Sequence, residues 1–581
     1  MAGHSLDPAA RLTVEGLPDP EEGAAISKVL RSIPFLIAGL CAAWAGAWLV
    51  EHGLSISRDG AHYLQVAFDV HFDGMRLGNP GYPVGYSALI ALAMLLEPFP
   101  VDAAAWVSAL SFALVLFVCA DLFYRASRST AVAALAVLAL ATLPAFWSSF
   151  LHVLSEPAFC ALVVLHAWLV ARHAERPDSN FSYFVAAAVV VGVVGVVRTI
   201  GYAVLLAFTL YALWCAFERR REPRELARLV AAHALSWLPV ASIAIVRGLR
   251  GTKVHGSRTE SSESLVLNLE RTASAFPADL GWFALAGVGL CIGLLIWRSL
   301  RAPLPSSFSA EERAPRWIAT YALLLVGIYV SAIIAAATLT RISPVGTRFY
   351  APYYPLFVVL ICCTPSLVPQ VARRGTVLAL CVGFLSLLFP DVRAVAALNR
   401  EVAAVETADL VAHHQLGFDR NPATTGLPPF FRELASGRAP VNIGVLAPLP
   451  RGGQHPAMAR ALMFRSAAVD SHGVARFERK GSGHFVIRYS DLPSGGGLEY
   501  RDLPLLAWHD ASGLAVHVAL SREMGSPGRG EHWLLAPSFA DPLHGLGSVP
   551  GSPLVVAESR ELGAYRAHRF VWSPSDSDSA H

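Results

Sequence analysis

Charged side chains are scarce in this sequence. Aspartate, glutamate, lysine and arginine make up 15% of its 581 residues, whereas hydrophobic residues make up 54%. Soluble domains carry about 25% charged residues, so the chain as a whole is not a soluble protein. The apolar residues form repeated blocks of about 16–22 residues through about residue 390, and charge and glycine return afterwards. This pattern predicts an all-α polytopic membrane domain followed by a soluble C-terminal domain.

Two further absences narrow the classes of function. The formal net charge is only +3 and no basic run alternates with aromatic residues, so nucleic acid is not an expected partner. All eight cysteines lie in or beside the apolar blocks, and none follows Cys381. Disulfides therefore cannot hold the C-terminal domain together, and it must fold around its own core. We expect the adjacent Cys362 and Cys363 to be packing residues.

The apolar blocks predict about eleven transmembrane helices. The short apolar segment that ends at Leu96 has only about a dozen residues, fewer than the ~20 needed to cross, so we expect it to lie at the outer surface or re-enter from it. The predicted spans are roughly 34–50, 102–123, 130–149, 154–171, 182–197, 200–217, 229–246, 276–297, 317–338, 352–370 and 376–390.

Positive charge sets the predicted orientation in the cytoplasmic (inner) membrane. Lys28 and Arg31 precede the first span, and most later arginine clusters fall on the same side if the short helix does not cross. The basic loop at 247–271 falls on the other side and weakens the argument. The N-terminus is then cytoplasmic and the C-terminal domain extracytoplasmic. The predicted parts are a disordered lead (1–30), a transmembrane domain (31–390) with its first outer loop (51–101), and a soluble domain (391–575).

The soluble domain is predicted to be α/β or β-rich. Short apolar runs at 441–446, 514–520 and 553–557 are bounded by Gly, Pro and Ser turns, which indicates strands. Helices are expected around 395–415 and 456–468.

The first outer loop contains the sequence Arg58-Asp59-Gly60-Ala61-His62-Tyr63. A carboxylate beside a cation, an imidazole and a phenol at a membrane surface can take a proton from a hydroxyl or bind a metal. Asp59 is the leading candidate for that carboxylate. An aspartate before a glycine is also a common turn residue, and His62 is more often a hydrogen-bonding loop residue than a ligand.

Further charged residues are predicted at the outer ends of other spans. Glu156 precedes Pro157 at the start of one span, and Arg198 interrupts an apolar stretch from about Val185 to Leu210. A charged group near apolar helix ends is costly, so it usually faces a partner or a wet cavity. Two carboxylates and several arginines on one face would suit an anionic, lipid-linked substrate, because arginine holds phosphate through paired hydrogen bonds.

Arg341 and Arg348 precede the tenth span on the same face. Simpler explanations stay open: these arginines would also fit as snorkelling residues at the interface. Glu156 would also fit as a helix start, where acid suits the dipole and proline suits the first position. Asp59 and Glu156 would be the ligands if a divalent metal were bound, and no other cofactor is indicated.

The order of these residues resembles a known family. After the Asp59 loop come Pro80-Gly81-Tyr82-Pro83-Val84-Gly85-Tyr86, then Leu154-Ser155-Glu156-Pro157, and finally Arg348-Phe349-Tyr350-Ala351-Pro352-Tyr353-Tyr354-Pro355. Together they resemble the GT-C superfamily of membrane glycosyltransferases, in the branch of protein O-mannosyltransferases and lipid A aminoarabinose transferase. The resemblance covers about residues 30–390.

The resemblance implies an inverting hexosyl- or pentosyltransferase. Its donor would be a sugar on a polyprenyl phosphate, and its acceptor a lipid, glycan or protein at the outer membrane face. Asp59 would be the general base and Glu156 the second acidic motif. Two departures, Arg58 in place of a second acid and Asn79 in place of a lysine, leave metal use and phosphate binding open. The substrate-binding residues would be Arg58, His62, Tyr63, Tyr82, Arg198, Arg341, Arg348 and Tyr350.

Two other classes of function stay open from the sequence. A transporter or lipid flippase would also place buried charges in a membrane domain, but transporters tend to show matching halves and this chain shows none. A membrane anchor that presents the C-terminal domain for binding is the third hypothesis. Eleven spans with charged outer ends are more than an anchor needs.

Overall fold

A computed structural model describes most of the helical domain and the central strands of the C-terminal domain. Within the described residues, seven helices are long and apolar enough to cross a membrane, and five shorter apolar helices accompany them. The described residues are 20–56, 58–73, 83–97, 99–175, 181–218, 223–249, 264–301, 310–339, 347–404, 427–437, 441–445, 475–481, 484–489, 492, 497–501, 532–537, 554–562 and 565–572.

The described part of the helical domain consists of α-helices. Among the described residues, two 3₁₀ turns interrupt the series, at Thr199–Gly201 and Ala351–Tyr353. The helices are α1 (Pro20–His52), α2 (Arg58–Asp73), α3 (Val84–Ala93), α4 (Pro100–Ser127), α5 (Thr130–Thr142), α6 (Pro144–Ser148), α7 (Glu156–Glu175), α8 (Phe181–Val197), α9 (Tyr202–Glu218), α10 (Pro223–Leu249), α11 (Leu265–Arg301), α12 (Ala310–Leu339), α13 (Thr347–Tyr350), α14 (Tyr354–Leu367) and α15 (Gln370–Ala404).

The apolar helices agree with the predicted spans. The seven long helices and four of the shorter ones coincide with the eleven predicted segments, and the fifth short helix is α3. Ten residues of α3 extend about 15 Å, half of the ~30 Å hydrocarbon core, which is consistent with a helix that does not cross. Cys362 and Cys363 are fully buried, as expected for packing residues.

Several predicted helix boundaries differ from the structure. α1 begins at Pro20, inside the lead predicted to be disordered (1–30) and well before the predicted start of the first span near residue 34. The span predicted at 130–149 ends at Thr142, because Pro144 lacks the N–H that would continue the helix and instead begins α6. The last span does not stop near residue 390. α15 continues through Pro390 to Ala404, past the expected start of the soluble domain, and Asn399 on it accepts a 2.8 Å hydrogen bond from Trp147 Nε1.

The expected polar loop after the first span is a helix. Arg58–Asp73 form α2, whose inner face carries Ala61, Leu64 and Phe68, each at most 1% exposed. Their spacing of three and four residues is the apolar period of an amphipathic helix. Asp59 therefore lies in the first turn of a helix, and the interpretation of Asp59 as a turn residue is wrong.

The C-terminal domain contains a mixed sheet of seven strands, in the order β2-β3-β4-β1-β5-β7-β6. β1 is central and runs parallel to both β4 and β5, while the remaining pairs are antiparallel. A short helix, α16 (Leu427–Ala435), packs Phe430 against Trp533 with ring centroids 5.1 Å apart. The strands are β1 (Val441–Val445), β2 (Ala475–Gly481), β3 (His484–Tyr489), β4 (Leu498–Arg501), β5 (His532–Pro537), β6 (Leu554–Leu562) and β7 (Tyr565–Trp572).

This sheet agrees with the predicted α/β or β-rich domain. β1 and β6 occupy the runs predicted at 441–446 and 553–557, and the helix expected at 395–415 is present through Ala404. The strand predicted at 514–520 and the helix predicted at 456–468 lie outside the described residues.

Candidate active site

Two backbone hydrogen bonds bring the starts of α2 and α7 together. The Ser55 N–H donates to the Leu151 carbonyl and the Val153 N–H donates to the Ser55 carbonyl, both at 2.9 Å. α2 begins three residues after Ser55, and α7 begins three residues after Val153. Asp59 in the first turn of α2 and Glu156 as the first residue of α7 are therefore placed near each other, although they are distant in sequence.

Glu156 forms an ion pair with Arg198. Its Oε1 lies 3.1 Å from Arg198 Nη1, and the two side chains are only 1% and 11% exposed. Arg198 follows the end of α8 and has an extended backbone (φ −149°, ψ 135°) just before the 3₁₀ turn at Thr199–Gly201. The break between α8 and α9 thus directs the Arg198 guanidinium toward Glu156 at the start of α7. Charges buried to this degree are retained as pairs, because removing either partner is costly.

Two phenylalanine rings flank the Arg198 guanidinium. Its Cζ lies 5.8 Å from the ring centroid of Phe159 and 5.7 Å from that of Phe349, within the range of cation–π attraction. Phe159 lies one turn after Glu156 on α7, and Phe349 lies on α13. Neither phenylalanine was predicted from the sequence as a site residue. The signal was present, since Phe159 is three positions from Glu156 and Phe349 lies inside the Arg348–Pro355 motif.

Tyr63 connects α2 to the residue before Glu156. Its hydroxyl donates a long hydrogen bond (3.4 Å) to Ser155 Oγ, and its ring packs edge-on against Tyr86 of α3 at 5.1 Å. Burial raises the pKa of Tyr63. The Ser155 hydrogen bond and Arg198 lower this pKa, whereas the Glu156 and Asp59 carboxylates raise it. The phenol therefore stays protonated as a donor, and three charged groups lie close enough to act on it.

Tyr350 is fixed by α11. Its hydroxyl shares a 2.6 Å hydrogen bond with Thr272 Oγ1, and its ring lies 4.8 Å from that of Phe276. The Tyr354 hydroxyl donates to the Asp279 carboxylate on the same helix. These contacts anchor the segment that carries Phe349 and so help to place that ring beside Arg198.

The structure thus brings together Asp59, Tyr63, Glu156 and Arg198. His62 is part-buried on α2, one turn after Asp59. The backbones of Arg58 and Arg348 lie in α2 and α13, but their side chains lie outside what the structure describes. Two further predicted residues, Tyr82 and Arg341, lie outside the described residues altogether.

A metal site was the open question for the two carboxylates. Within the part of the chain that the structure describes, no three His, Cys, Asp or Glu side chains are grouped so that they could hold a metal ion. Glu156 is also paired with Arg198. Mg²⁺ is commonly held by one or two carboxylates together with waters and a substrate phosphate, so Asp59 and Glu156 stay the candidate ligands for a divalent metal, with Glu156 shared with Arg198.

Comparison with solved structures identifies the architecture. ArnT from Cupriavidus metallidurans in the apo state matches with a TM-score of 0.53 at 14% identity, over 94% of this chain and 98% of that chain. The chain has a GT-C-like fold. ArnT bound to undecaprenyl phosphate matches with a TM-score of 0.52 at 15% identity, over 92% of this chain and 97% of that one.

The GT-C-like fold confirms the resemblance drawn from the motifs, and the chain is an integral membrane protein. No protein-family model matches the sequence, and no curated protein matches it either. At these identities the likeness is one of fold, and a fold does not by itself determine the chemistry of a site.

Proposed function

We propose that this protein is an inverting glycosyltransferase that moves a sugar from a polyprenyl-phosphate donor to an acceptor at the outer face of the cytoplasmic membrane. The buried Glu156–Arg198 pair beside Asp59 and Tyr63, at one end of a GT-C-like bundle, is the observation that carries the proposal. The matching ArnT structure that is bound to undecaprenyl phosphate supports a lipid of the same class here.

The proposed reaction is a single displacement with Asp59 as general base. Asp59 takes the proton of the acceptor hydroxyl while the hydroxyl oxygen attacks the anomeric carbon. The bond from that carbon to the phosphate oxygen breaks, and polyprenyl phosphate leaves with the electron pair. Attack opposite the leaving group inverts the anomeric centre.

Arginine side chains would stabilise the phosphate as it leaves. Among the described residues, Arg198 is the cation best positioned to contact the phosphate, because Glu156 and two aromatic rings hold its guanidinium in place. A fixed donor directed at developing charge costs no reorganisation during the reaction. Arg58, Arg341 and Arg348 are proposed to contribute to the same phosphate site. We also propose that four further residues line the substrate-binding site: His62, Tyr63, Tyr82 and Tyr350.

The substitution Asp59→Asn tests the general base. It removes the base with little change in volume, and we expect transfer to fall by roughly 10²–10⁴-fold. Cells that lack the protein are complemented with the wild type or the variant, and their envelope lipids and glycans are compared by mass spectrometry. The wild type should restore a sugar modification that the deletion removes.

Asp69→Asn is the matched control, since Asp69 lies on the same helix about 15 Å further along. It should restore the modification as the wild type does. A full level of product from the Asp59→Asn variant, inserted normally in the membrane, would remove Asp59 from the mechanism. An unchanged envelope after deletion of the wild-type protein would count against the glycosyltransferase as a whole.

A further inference from the structure

The carboxylate of Glu156 contacts Arg198, the cation proposed to hold the phosphate of the lipid donor. We infer that Glu156 is a positioning residue, which holds the Arg198 guanidinium where it can receive the phosphate of the lipid donor, and that it neither carries a proton nor binds a metal. The inference rests on the proposed function and deepens it.

The geometry at Arg198 is that of an oriented cation. Glu156 Oε1 is 3.1 Å from Nη1, and the rings of Phe159 and Phe349 lie 5.8 and 5.7 Å from Cζ. A carboxylate at one edge and aromatic rings nearby restrict the plane of the guanidinium. Arginine has five N–H donors in a rigid fork, so one guanidinium can contact a carboxylate at one edge and a phosphate at another.

Two features around Glu156 stabilise a negative charge on its carboxylate. Arg198 is always charged, and an opposite charge at 3.1 Å opposes uptake of a proton. Glu156 is also the first residue of α7, where the helix dipole stabilises negative charge. A general base has to accept a proton during each turnover. Asp59, which is part-exposed, is better placed for that task than Glu156, which is 1% exposed.

Two conservative substitutions separate the effect of side-chain length at position 156 from the effect of its negative charge. Glu156→Gln keeps an acceptor oxygen at the same distance from Arg198 but cannot serve as a base. Glu156→Asp keeps the charge but shortens the side chain by one methylene. If Glu156 acts by positioning Arg198, Gln should replace it better than Asp.

The readout is the binding of undecaprenyl phosphate to the purified full-length protein in detergent, measured by native mass spectrometry. We expect Glu156→Gln to weaken binding by about 3-fold and Glu156→Asp by about 10-fold or more. The charge-assisted hydrogen bonds from the guanidinium to the phosphate depend on distance and alignment, and the shorter aspartate no longer reaches Arg198 to hold it in place. Glu175→Gln is the matched control. Glu175 lies at the other end of α7 and is also paired with an arginine, Arg125. The Glu175→Gln variant should therefore bind the lipid as the wild type does.

A double-mutant cycle tests whether Glu156 acts through Arg198. Arg198→Ala should bind the lipid at least 10-fold more weakly than the wild type. Adding Glu156→Gln to Arg198→Ala should then have no further effect, because contacts that act through one shared residue are not additive. Additive losses in the double variant would mean that Glu156 contacts the phosphate site independently.

The outcomes distinguish this inference from the proposed function. Stronger binding by Glu156→Asp than by Glu156→Gln would overturn the inference, since charge would then matter more than reach. Equal binding by the wild type and all Glu156 variants would overturn it as well. A wild-type protein that does not bind undecaprenyl phosphate at all would instead sink the proposed donor class, and the inference with it.

Discussion

The two ends of α7 carry acid–arginine pairs in different settings. At one end Glu156 meets Arg198, and the side chains are 1% and 11% exposed. At the other end Glu175 Oε1 lies 2.5 Å from Arg125 Nη1, and these side chains are about one fifth exposed. The helix has 20 residues, so the pairs are separated by about 28 Å, close to the ~30 Å thickness of a hydrocarbon core.

The Glu175 end is a network of several polar contacts. Arg125 Nε also donates to Asp121 Oδ2 at 2.5 Å, and Trp168 Nε1 donates to the same oxygen at 2.6 Å. Arg172 lies near Glu175 (3.9 Å) and over the Trp168 ring (5.7 Å). Partly exposed charges with several partners stabilise a helix end at modest cost, which is the typical use of such residues at a membrane boundary.

The Glu156 end is more deeply buried and surrounded by aromatic rings. Burying a pair of charges this far costs free energy that their mutual attraction does not always recover. A bound substrate phosphate would offset part of that cost. The contrast supports the Glu156 end as the site of function and the Glu175 end as a structural support.

The largest expected difference between the ends comes from removing each arginine. Arg198→Leu leaves a 1% exposed carboxylate without its cation, so we expect a loss of about 3–5 kcal/mol in the free energy of unfolding. Arg125→Leu removes hydrogen bonds to two carboxylates that still reach water, and should cost about 1–2 kcal/mol. Unfolding of the purified proteins in mixed micelles measures both.

The double variant Glu156→Leu/Arg198→Leu sharpens this prediction. Replacing a buried pair by apolar residues is often neutral or stabilising, so stability should return to near the wild-type value. Binding of undecaprenyl phosphate should not return, because the cation is gone. Equal losses from Arg198→Leu and Arg125→Leu would erase the distinction between the two ends.

A smaller effect is expected where α3 touches the end of α8. A Cβ on Gly85 would lie 2.7 Å from the backbone nitrogen of Val197, the residue before Arg198. Gly85→Ala should therefore cost about 1–3 kcal/mol through overpacking and should also weaken lipid binding, because the turn that carries Arg198 must shift. Gly46→Ala is the control, since nothing lies within 4 Å of its added Cβ. Wild-type stability and binding in Gly85→Ala would show that this contact does not place Arg198.

The smallest expected effect lies at the Glu175 end. Trp168→Phe removes the hydrogen bond from Nε1 to Asp121 but keeps a ring beside Arg172. We expect a loss of about 1 kcal/mol in the free energy of unfolding, since Asp121 keeps its contact with Arg125 and is partly exposed. Binding of undecaprenyl phosphate should stay at the wild-type level. Weaker lipid binding in this variant would mean that the two ends are coupled.

Much of the fold could be predicted from the sequence, because the bilayer imposes a simple rule on it. An apolar stretch must be about 20 residues long to cross, and the eleven predicted segments all coincide with apolar helices. The helix α2 was missed, since its polar residues suggested a loop. Its buried positions Ala61, Leu64 and Phe68 follow the helical period and could have revealed it.

The sequence by itself determined that this protein is a helical membrane domain with a cysteine-free β-containing domain after it, because hydrophobic length and composition are local properties. It also marked Asp59, Glu156 and Arg198 as charges that apolar surroundings make costly. Only the tertiary structure decided that Glu156 and Arg198 are partners and that Phe159 and Phe349 flank the guanidinium. Contacts between segments distant in sequence depend on how the helices pack and on where Ser55 pairs with Leu151 and Val153, which no local pattern specifies.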